Sequence, residues 1–583
     1  MLSCPKRFSF AFRLFIACLL AFFVSTGYLK DLLADPQSAA KAGLVSRDLE
    51  KKETPGSYRK DVPFIAPEEE GAEAKALPGG DQKIFLKDIH FKGNASISNK
   101  KLQRIVRPYL NREHTLTEIR NLAKTVQNYY RSKGYFLARV YVPPQDIHDD
   151  VLEMVVSEGE LGKLIVRNNK RYSESYIRRH FNSLIKKKTI KYDRLLRPMM
   201  LLNETPSLQV GASLSKGEKP GTTDITLDLK EKLPIRGYFN YDNTGSDFVS
   251  KHRVGSSLEM DSLLLQGDRS SFSFVGGSPV ANLRFGAANY SALLTPYGTR
   301  AEFGYSYSKF KAARELRDLM IEGTSQIFHV GLTQALIRSR ATNADAGISF
   351  DYKQIKNYTL KVRTSDDELR VLNFNLNMDH VDSFRGRTYF NNILSIAMAG
   401  IMGATPRDSI NASRAGAGSD YTLYQADLKR VQELLFGSYL IARLRTQVSS
   451  KPLPASEQMV IGGADTVRGF AQGEHLGDQG YIINLEGRVP PPLIGKIMIP
   501  YLKQSIKDTL QFAAFLDNGS TFRKRISSGE TKANTITGYG TGLRVFLPHD
   551  INLSLDWGFP LSGNESSTGR SSVFYFKLAA RFL

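Results

Sequence analysis

Cysteine is nearly missing from this chain: of 583 residues only Cys4 and Cys18 are cysteines, both close to the N-terminus. Both fall in a segment read below as a removable leader, so the mature chain has no disulfide, no thiolate nucleophile and no cysteine-based metal site. Long apolar runs are missing too. The stretch Leu14 to Val24, between Arg13 and Ser25, is much shorter than the roughly 20 residues that a membrane-spanning helix needs. Nothing later in the chain sustains such a run, which excludes a bundle of transmembrane helices. The nine histidines form no recognisable metal-ligand motif, and no Gly-x-Ser-x-Gly nucleophile turn occurs. No catalytic, cofactor-binding or metal-binding residue is therefore expected, and the protein is not expected to be an enzyme.

The leader combines Lys6, Arg7 and Arg13, the apolar stretch, and the small residues Ser25, Thr26 and Gly27, the pattern of a cleaved secretory signal over 1–27. A formal net charge of +21 and a pI near 9.6 would ordinarily point to nucleic acid. An exported chain does not meet nucleic acid, so the basic charge is assigned to a polar lumen, an acidic lipid surface, a polypeptide client or simply solvated surface. Residues 28–82 read as linker, rich in Ala, Pro, Gly, Glu and Lys, with one short helix expected at Gln37 to Lys51.

From Lys83 the pattern becomes ordered. An apolar alternation (Ile84, Leu86, Ile89, Phe91) predicts a strand that ends at Gly93-Asn94, and Leu102, Ile105, Val106 and Leu110 predict a helix. Thr115 to Lys133 carries apolar residues at helical steps until Gly134 stops it, and strands follow at Phe136 to Val142 and Val151 to Ser157. The same order recurs with a strand at Leu161 to Val166, helices at Tyr172 to Ile185 and Tyr192 to Leu202, and strands at Leu208 to Leu214 and Thr223 to Leu229. Two α+β units of order β-α-α-β-β are thus expected, over 83–159 and 160–232. Each is short of cover for its sheet edges, and an open edge can accept an extended peptide as an added strand. A spacer role is the bland alternative. Lys186-Lys187-Lys188, with Arg178, Arg179, Lys191, Arg194 and Arg197 nearby, suggest a basic patch for acidic client segments or anionic lipid, with a solvated face as the equal alternative.

From 233 to 583 the helical period disappears and strand-length alternating segments take over. Ile551, Leu553, Leu555, Trp557 and Phe559 share one face opposite Asn552, Ser554, Asp556 and Gly558. Phe574, Phe576, Leu578, Ala580 and Phe582 likewise oppose Tyr575, Lys577 and Arg581. One face suits lipid and the other water, the signature of a transmembrane antiparallel β-barrel, whose closure leaves no backbone group unpaired in hydrocarbon. At about 10 residues per tilted strand the length fits about 16 strands, with 14 and 18 as neighbours. Between two strand-like stretches lies a glycine-rich loop, Gly462-Gly463-Ala464-Asp465-Thr466-Val467-Arg468-Gly469-Phe470. Downstream, Phe515, Asp517 and Gly519 share one strand face, predicted to line the lumen.

The Val467-Arg468-Gly469-Phe470 loop motif, the Phe515-x-Asp517-x-Gly519 strand motif, the paired repeats and the aromatic terminal strand resemble the Omp85 superfamily, in particular its two-partner secretion transporter branch (haemolysin secretion/activation proteins). The resemblance spans Lys83 to Leu583. It implies that the repeats are POTRA domains in the periplasm, that a 16-strand barrel sits in the outer membrane of a Gram-negative bacterium, and that loop six enters the lumen so that Arg468 meets Asp517. It also implies that an N-terminal helix, here Gln37 to Lys51, plugs the pore. The chain departs from the family where Leu583 follows Phe582 at the terminus, and where Phe470 stands in place of a frequent tyrosine, which keeps the ring and removes one hydrogen bond.

An Arg468–Asp517 pair has a Coulomb energy of about 4 kcal/mol at 4 Å and an effective dielectric near 20, much of it offset by desolvation. Such a pair acts as a latch that selects one loop position, and reversing both charges is expected to restore what Arg468→Glu alone removes. The function so implied is export of an unfolded exoprotein of haemolysin or adhesin type, received by the POTRA domains and conducted by the barrel. The partners are that client, outer-membrane lipid and, for insertion, the barrel assembly machinery, with no cofactor and a monomeric state. An Omp85 assembly factor and a passive porin are the alternative readings. Two repeats favour secretion, and a porin leaves both repeats without a task.

Overall fold

In the computed structural model the described residues are 83–583, apart from 148, 206, 493, 527–529, 562–565 and 583. The expected leader, the linker and the Gln37 to Lys51 helix lie outside them.

The first small domain contains β1 (Lys83–Leu86), β2 (Asp88–Lys92), α1 (Asn99–Val106), β3 (Arg112–Thr115), α2 (Leu116–Ser132), β4 (Arg139–Tyr141) and β5 (Val151–Ser157). The single strand expected over 84–91 is in fact two, because the apolar step from Leu86 to Ile89 is three residues rather than two. The backbone bends at Lys87, where the N–H groups of Lys87 and Asp88 both donate to the Asp150 carbonyl, so that Leu86 and Ile89 both stay fully buried. β1 then pairs with β3, and β2 pairs in parallel with β5. α2 starts at a reciprocal capping box: the Thr115 hydroxyl accepts from Glu118 N, and the Glu118 carboxylate accepts from Thr115 N at 2.9 Å. Its buried stripe, Ile119, Leu122, Ala123, Val126 and Tyr130, packs on Leu102, Val106, Leu152 and Met154. Each fully buried large aliphatic of this core contributes about 1.5–3 kcal/mol.

The strand expected over Phe136 to Val142 shrinks to β4. Phe136 and Leu137 pack against the second domain's core, and the Phe136 ring meets Tyr192 edge-on at 5.7 Å. Gly134 O also accepts from Tyr192 N at 2.9 Å. These residues tie the two domains together, which explains their apolar character.

The second domain repeats the plan with β6 (Glu160–Arg167), α3 (Glu174–His180), α4 (Asn182–Lys187), α5 (Tyr192–Asn203), β7 (Leu208–Lys216) and β8 (Thr222–Glu231). Its sheet runs β6-β8-β7, as the first runs β2-β5-β4. In each, the first strand lies parallel to the last, and the middle strand forms the far edge.

His180, buried at the end of α3, holds the Tyr176 carbonyl through Nδ1 at 2.9 Å. Burial, with the neighbouring Arg179 charge acting in the same direction, pushes its imidazole down to about 4. An unfolded histidine titrates near 6.5. Below that pH the unfolded chain takes up a proton that the folded domain refuses, so stability is lost as pH falls from about 6.5 to about 4, by at most about 1.4 kcal/mol per unit. Hydrogen exchange of α3 amides in the full chain, corrected for intrinsic rates, is expected to show less protection at pH 5 than at pH 7, and His180→Phe is expected to flatten that dependence.

The barrel strands are β9 (Ile235–Asp242), β10 (Arg253–Asp261), β11 (Arg269–Gly277), β12 (Leu283–Leu293), β13 (Thr299–Lys311), β14 (Glu322–Arg338), β15 (Thr342–Thr359) and β16 (Val362–Val381). There follow β17 (Gly386–Ala397), β18 (Thr422–Glu433), β19 (Tyr439–Ser449), a small hairpin of β20 (Met459–Ile461) and β21 (His475–Gly477), and β22 (Gln479–Val489). A second hairpin of β23 (Met498–Ile499) and β24 (Gln504–Ser505) leads through α6 (Ile506–Thr509) to β25 (Leu510–Phe522), β26 (Ala533–Leu547), β27 (Ile551–Pro560) and β28 (Val573–Arg581). Leaving the two small hairpins aside, sixteen antiparallel strands close when β28 pairs with β9. Among the described residues no helix is long and apolar enough to cross a membrane, which says nothing of the strands. The alternation explains the facing: Trp557 and Phe574 stand about half exposed on the outer surface, whereas Asp556 and Tyr575 point into the lumen network described below.

The second domain docks on the turns at the barrel's N-terminal rim. Tyr172 Oη lies 2.9 Å from Ser262 Oγ, and Ser173 Oγ donates to Gln266. Arg197 donates to the Leu336 and Ala335 carbonyls at 2.7 and 2.6 Å, and Arg338 pairs with both Glu204 and Asp345. This rim lies on the side of the two small domains, and the opposite rim, with the long loops, points outward, away from them.

Candidate functional site

Loop six runs from 450 to 478, between β19 and β22, and folds into the lumen. Gly462 (φ +96°), Gly463 (φ +113°) and Gly469 (φ +101°) take left-handed conformations that let it reverse twice. Val467 and Phe470 are fully buried against Met459, Ile461, Ile482 and Ile536, an apolar anchor that fixes the tip.

Arg468, between these anchors, is 6% exposed, and Asp517 is wholly buried. Its Nε donates to Asp517 Oδ2 at 2.7 Å and Nη2 donates to Oδ1 at 3.0 Å, a bidentate pair, while the Arg468 backbone N–H donates to the same carboxylate at 3.1 Å. The guanidinium lies 3.5 Å above the Phe515 ring centroid. The strand motif thus supplies a carboxylate, a ring and, at Gly519, clearance: a Cβ there would come within 2.9 Å of Val467 Cγ2.

The remaining partners were not legible from the motifs. Arg468 Nη1 also donates to Glu486 Oε2 at 2.6 Å and lies 3.7 Å from Asp556. Arg544 bridges Glu486 (3.2 Å) and Asp556 (2.8 Å), and Arg488 donates to Glu486 at 2.7 Å. Three guanidiniums meet three carboxylates, so the cluster is balanced. Asn484 ties Asp517 (2.8 Å) to the Thr466 carbonyl (2.6 Å). Tyr575 Oη donates to Phe470 O at 2.7 Å and accepts from Gly469 N at 3.1 Å. The wall beneath the tip is bare backbone: a Cβ on Gly538 would sit 1.8 Å from Arg468 O, and one on Gly558 would sit 2.6 Å from Gly469 N. Gly538 is a landing surface for the loop.

This network revises the expected charge-reversal rescue. A glutamate at 468 would face Glu486 and Asp556 whatever stands at 517, because Arg468 serves more than one carboxylate. The alternation showed which way Asp556 points, but not that Glu486, Arg544 and Asp556 meet at one height of the barrel.

A second missed residue is Asp478 at the end of loop six, fully buried. It pairs with Arg414 of loop five at 2.5 Å and accepts from Leu453 N (2.9 Å) and from Lys524 N of loop seven (2.7 Å). It bolts three outward loops together. Nearer the lumen centre, Glu457 of loop six accepts from Lys353 at 3.0 Å beside a polar cavity of ≈290 Å³ that also contains Asp351 and His329.

The basic patch expected around Lys186-Lys187-Lys188 is smaller than the sequence suggested. The three lysines are exposed, but Arg178 is spent on Glu174 and Leu164 O, Lys191 on Asp193, Arg194 on Thr189 O and Arg197 on the barrel rim. The triplet lies at the β6 side of the sheet, where Lys188 O accepts from Leu161 N.

A sixteen-strand barrel behind two β-α-α-β-β domains, with an inward loop clamped to its wall, defines an outer-membrane transport barrel of Omp85 type. The chain belongs to the haemolysin secretion/activation protein family ShlB/FhaC/HecB, whose family model matches residues 221–545, and residues 84–159 match the ShlB-type POTRA domain. Similar proteins include the heme/hemopexin transporter protein HuxB of Haemophilus influenzae (strain 86-028NP), 24% identical over 76% of each chain. Another is the outer membrane transporter CdiB of Dickeya dadantii (strain 3937), 23% identical over 68% of this chain and 70% of that one. Among solved structures, CdiB from Escherichia coli superposes with a TM-score of 0.74 at 18% identity, covering 95% of this chain and all of the other. CdiB from Acinetobacter baumannii gives 0.67 at 16% identity, also covering 95% of this chain and all of that one. The protein is a two-partner secretion transporter of the Gram-negative outer membrane, with its POTRA domains in the periplasm, and it translocates a secreted exoprotein.

Proposed function

We propose that the exoprotein, unfolded and of haemolysin or adhesin type, first adds as a strand to the free edge of β7 and then passes through a barrel whose loop six is held by the Arg468 cluster. The observation that carries the receiving step is the state of the four sheet edges. In β4 the outward N–H of Val140 is taken by the Gln127 amide, and in β2 the Ile89 carbonyl is taken by Gln103. In β6, Leu164 O is taken by Arg178, and Glu160 and Leu161 pair with the segment at 188–189. In β7 the Asn203 amide occupies both outward groups of Val210, at 3.0 Å each. Antiparallel alternation aims the groups of Ala212 and Leu214 the same way, and among the described residues nothing bonds them. Among the described residues, Ala212 and Leu214 thus give the distal half of β7 pairing groups that no partner occupies.

Lys186, Lys187 and Lys188, on the other side of the sheet, offer a separate, salt-sensitive contact to acidic stretches of the client. The protein acts as a monomer, since the closed barrel leaves no strand edge to share, and it depends on the barrel assembly machinery for insertion. The expected N-terminal helix restricts the pore between transport events, while loop six stays seated at the barrel wall.

The direct test is release of a candidate client from cells carrying the wild-type chain or a deletion of Lys83 to Glu231, with outer-membrane levels and general barrel assembly followed in parallel. Loss of release alone is the expected result. General assembly failure would identify an insertase, and unchanged release with altered solute uptake a porin.

A further inference from the structure

The periplasmic rim is divided. The turns at 262–268, 294–298 and 339–341 lie under the second POTRA domain, whereas 434–438 and 490–509 carry exposed apolar side chains without that cover. Periplasmic turns of outer-membrane barrels are ordinarily short. Here the turn at 490–509 is far longer than any other on this rim and builds its own hairpin. Met498 pairs with Ser505 and Ile499 with Gln504, Ile506 N donates to Ile497 O, and Lys507 N donates to Gly495 O, both at 2.9 Å. With these backbone groups paired internally, the hairpin can enter a poorly hydrated layer.

Its apex is apolar. Tyr501 is 98% exposed, and Ile497 and Met498 are more than half exposed. The neighbouring turn adds Leu435 and Phe436, the latter 94% exposed. The two turns adjoin, Pro490 lying against Gly437. They also continue the lipid-facing belt. Val489 and Phe512 form the last rung between β22 and β25, both half exposed on the face opposite Glu486 and Asp517, and the hairpin begins directly below them. Exposed Lys496, Lys503 and Lys507 flank the apex, against Asp508, which is already engaged by the Ser505 hydroxyl.

We propose that these two turns form a membrane anchor that inserts into the periplasmic leaflet of the outer membrane, with Tyr501, Met498 and Phe436 at the headgroup boundary and the three lysines on anionic phospholipid headgroups. Aromatic and apolar side chains ringed by lysine are the chemistry of an interfacial anchor, and each lysine near an anionic surface adds to the attraction. The anchor fixes the rim opposite the docked POTRA domain against the bilayer. It rests on the barrel crossing the membrane and is independent of which client is carried.

The sole tryptophan is Trp557, which makes a clean probe available. The full chain carrying Trp557→Phe and Tyr501→Trp is reconstituted into phosphatidylcholine vesicles, with and without phosphatidylglycerol, in which the phosphatidylcholine is either plain or brominated near the headgroup. An anchor seated ~5–10 Å into the headgroup and acyl boundary is expected to lose at least about half its emission to brominated lipid and to be shielded from aqueous iodide. Addition of phosphatidylglycerol is expected to increase the lipid quenching, and Lys496→Gln/Lys503→Gln/Lys507→Gln to abolish that increase. Phe436→Trp in the same background is a second reporter should Tyr501→Trp fail to assemble. Emission open to iodide and indifferent to brominated lipid at both positions would overturn the proposal. So would shielding that appears only when client polypeptide is added, which would make the patch a peptide-docking surface instead.

Discussion

Arg468→Ala is expected to abolish client release while the barrel still assembles. Removing one member of a buried ion pair costs about 3–5 kcal/mol, because the partner charge is left without compensation. Here Asp517 is wholly buried and loses a bidentate partner, and Glu486 keeps only Arg544 and Arg488. The cation over the Phe515 ring is lost in the same step. That energy does not hold up the barrel, whose closed ladder is intact without loop six. It is the energy that keeps the loop seated, and its loss sets the tip free in the lumen. Heat-dependent gel mobility checks assembly, and protease cleavage within 462–473 checks the seat. Gly558→Val is expected to reproduce the phenotype from the other side, since a side chain there would occupy the space of the Gly469 backbone. Arg468→Glu with Asp517→Arg is expected to release far less client than the wild type, because Glu486 and Asp556 still face the new glutamate. Full recovery in that double variant would mean that Asp517 alone matters.

Ala212→Pro is expected to weaken client capture severely without unfolding the second POTRA domain. Proline removes an N–H and is tolerated on edge strands where that N–H does not join the ladder. The Ala212 N–H points away from β8, so the variant deletes a group offered to an incoming strand and spares the domain's own pairing. Ser213→Pro, one residue on, removes a donor to β8 and is expected to damage the domain itself. Binding of a client fragment to the full chain in detergent, compared with the thermal transition of each variant, separates the two. Undiminished binding by Ala212→Pro would locate the client elsewhere, with the Lys186–Lys188 surface next in line.

What the sequence disclosed follows the range of the interactions involved. Alternation within one strand, as in Ile551 to Phe559, depends only on the pleat, so the facing of Trp557 and Asp556 could be read directly, and the length from 233 to 583, at about 10 residues per tilted strand plus turns, led to about sixteen strands. Arg468 and Asp517 stood out because short motifs surround them, and the structure places them 2.7 Å apart. Glu486, Arg544 and the landing glycines Gly538 and Gly558 lie on separate strands, and their meeting depends on register and tilt around the barrel, which no local pattern encodes. The Lys186–Lys188 patch was overdrawn because arginines close in sequence, such as Arg197, turn to other partners. Phe136 was read as part of a strand because its alternation continues that of β4, whereas the ring faces the neighbouring domain.

In the proposed mechanism secretion proceeds with loop six held at the barrel wall by its tip. The mature chain expected from the sequence carries no cysteine, and the Asp465 carboxylate lies 2.5 Å from Lys577 Nζ of β28. Cysteines at 465 and 577 joined by a short bifunctional thiol reagent therefore tether the tip in its observed seat. Client release measured before and after joining is predicted to persist in the otherwise wild-type chain and to be restored in the Arg468→Ala chain. Release that stops on joining and resumes when a cleavable tether is cut would contradict the account and require the loop to leave its seat during transport.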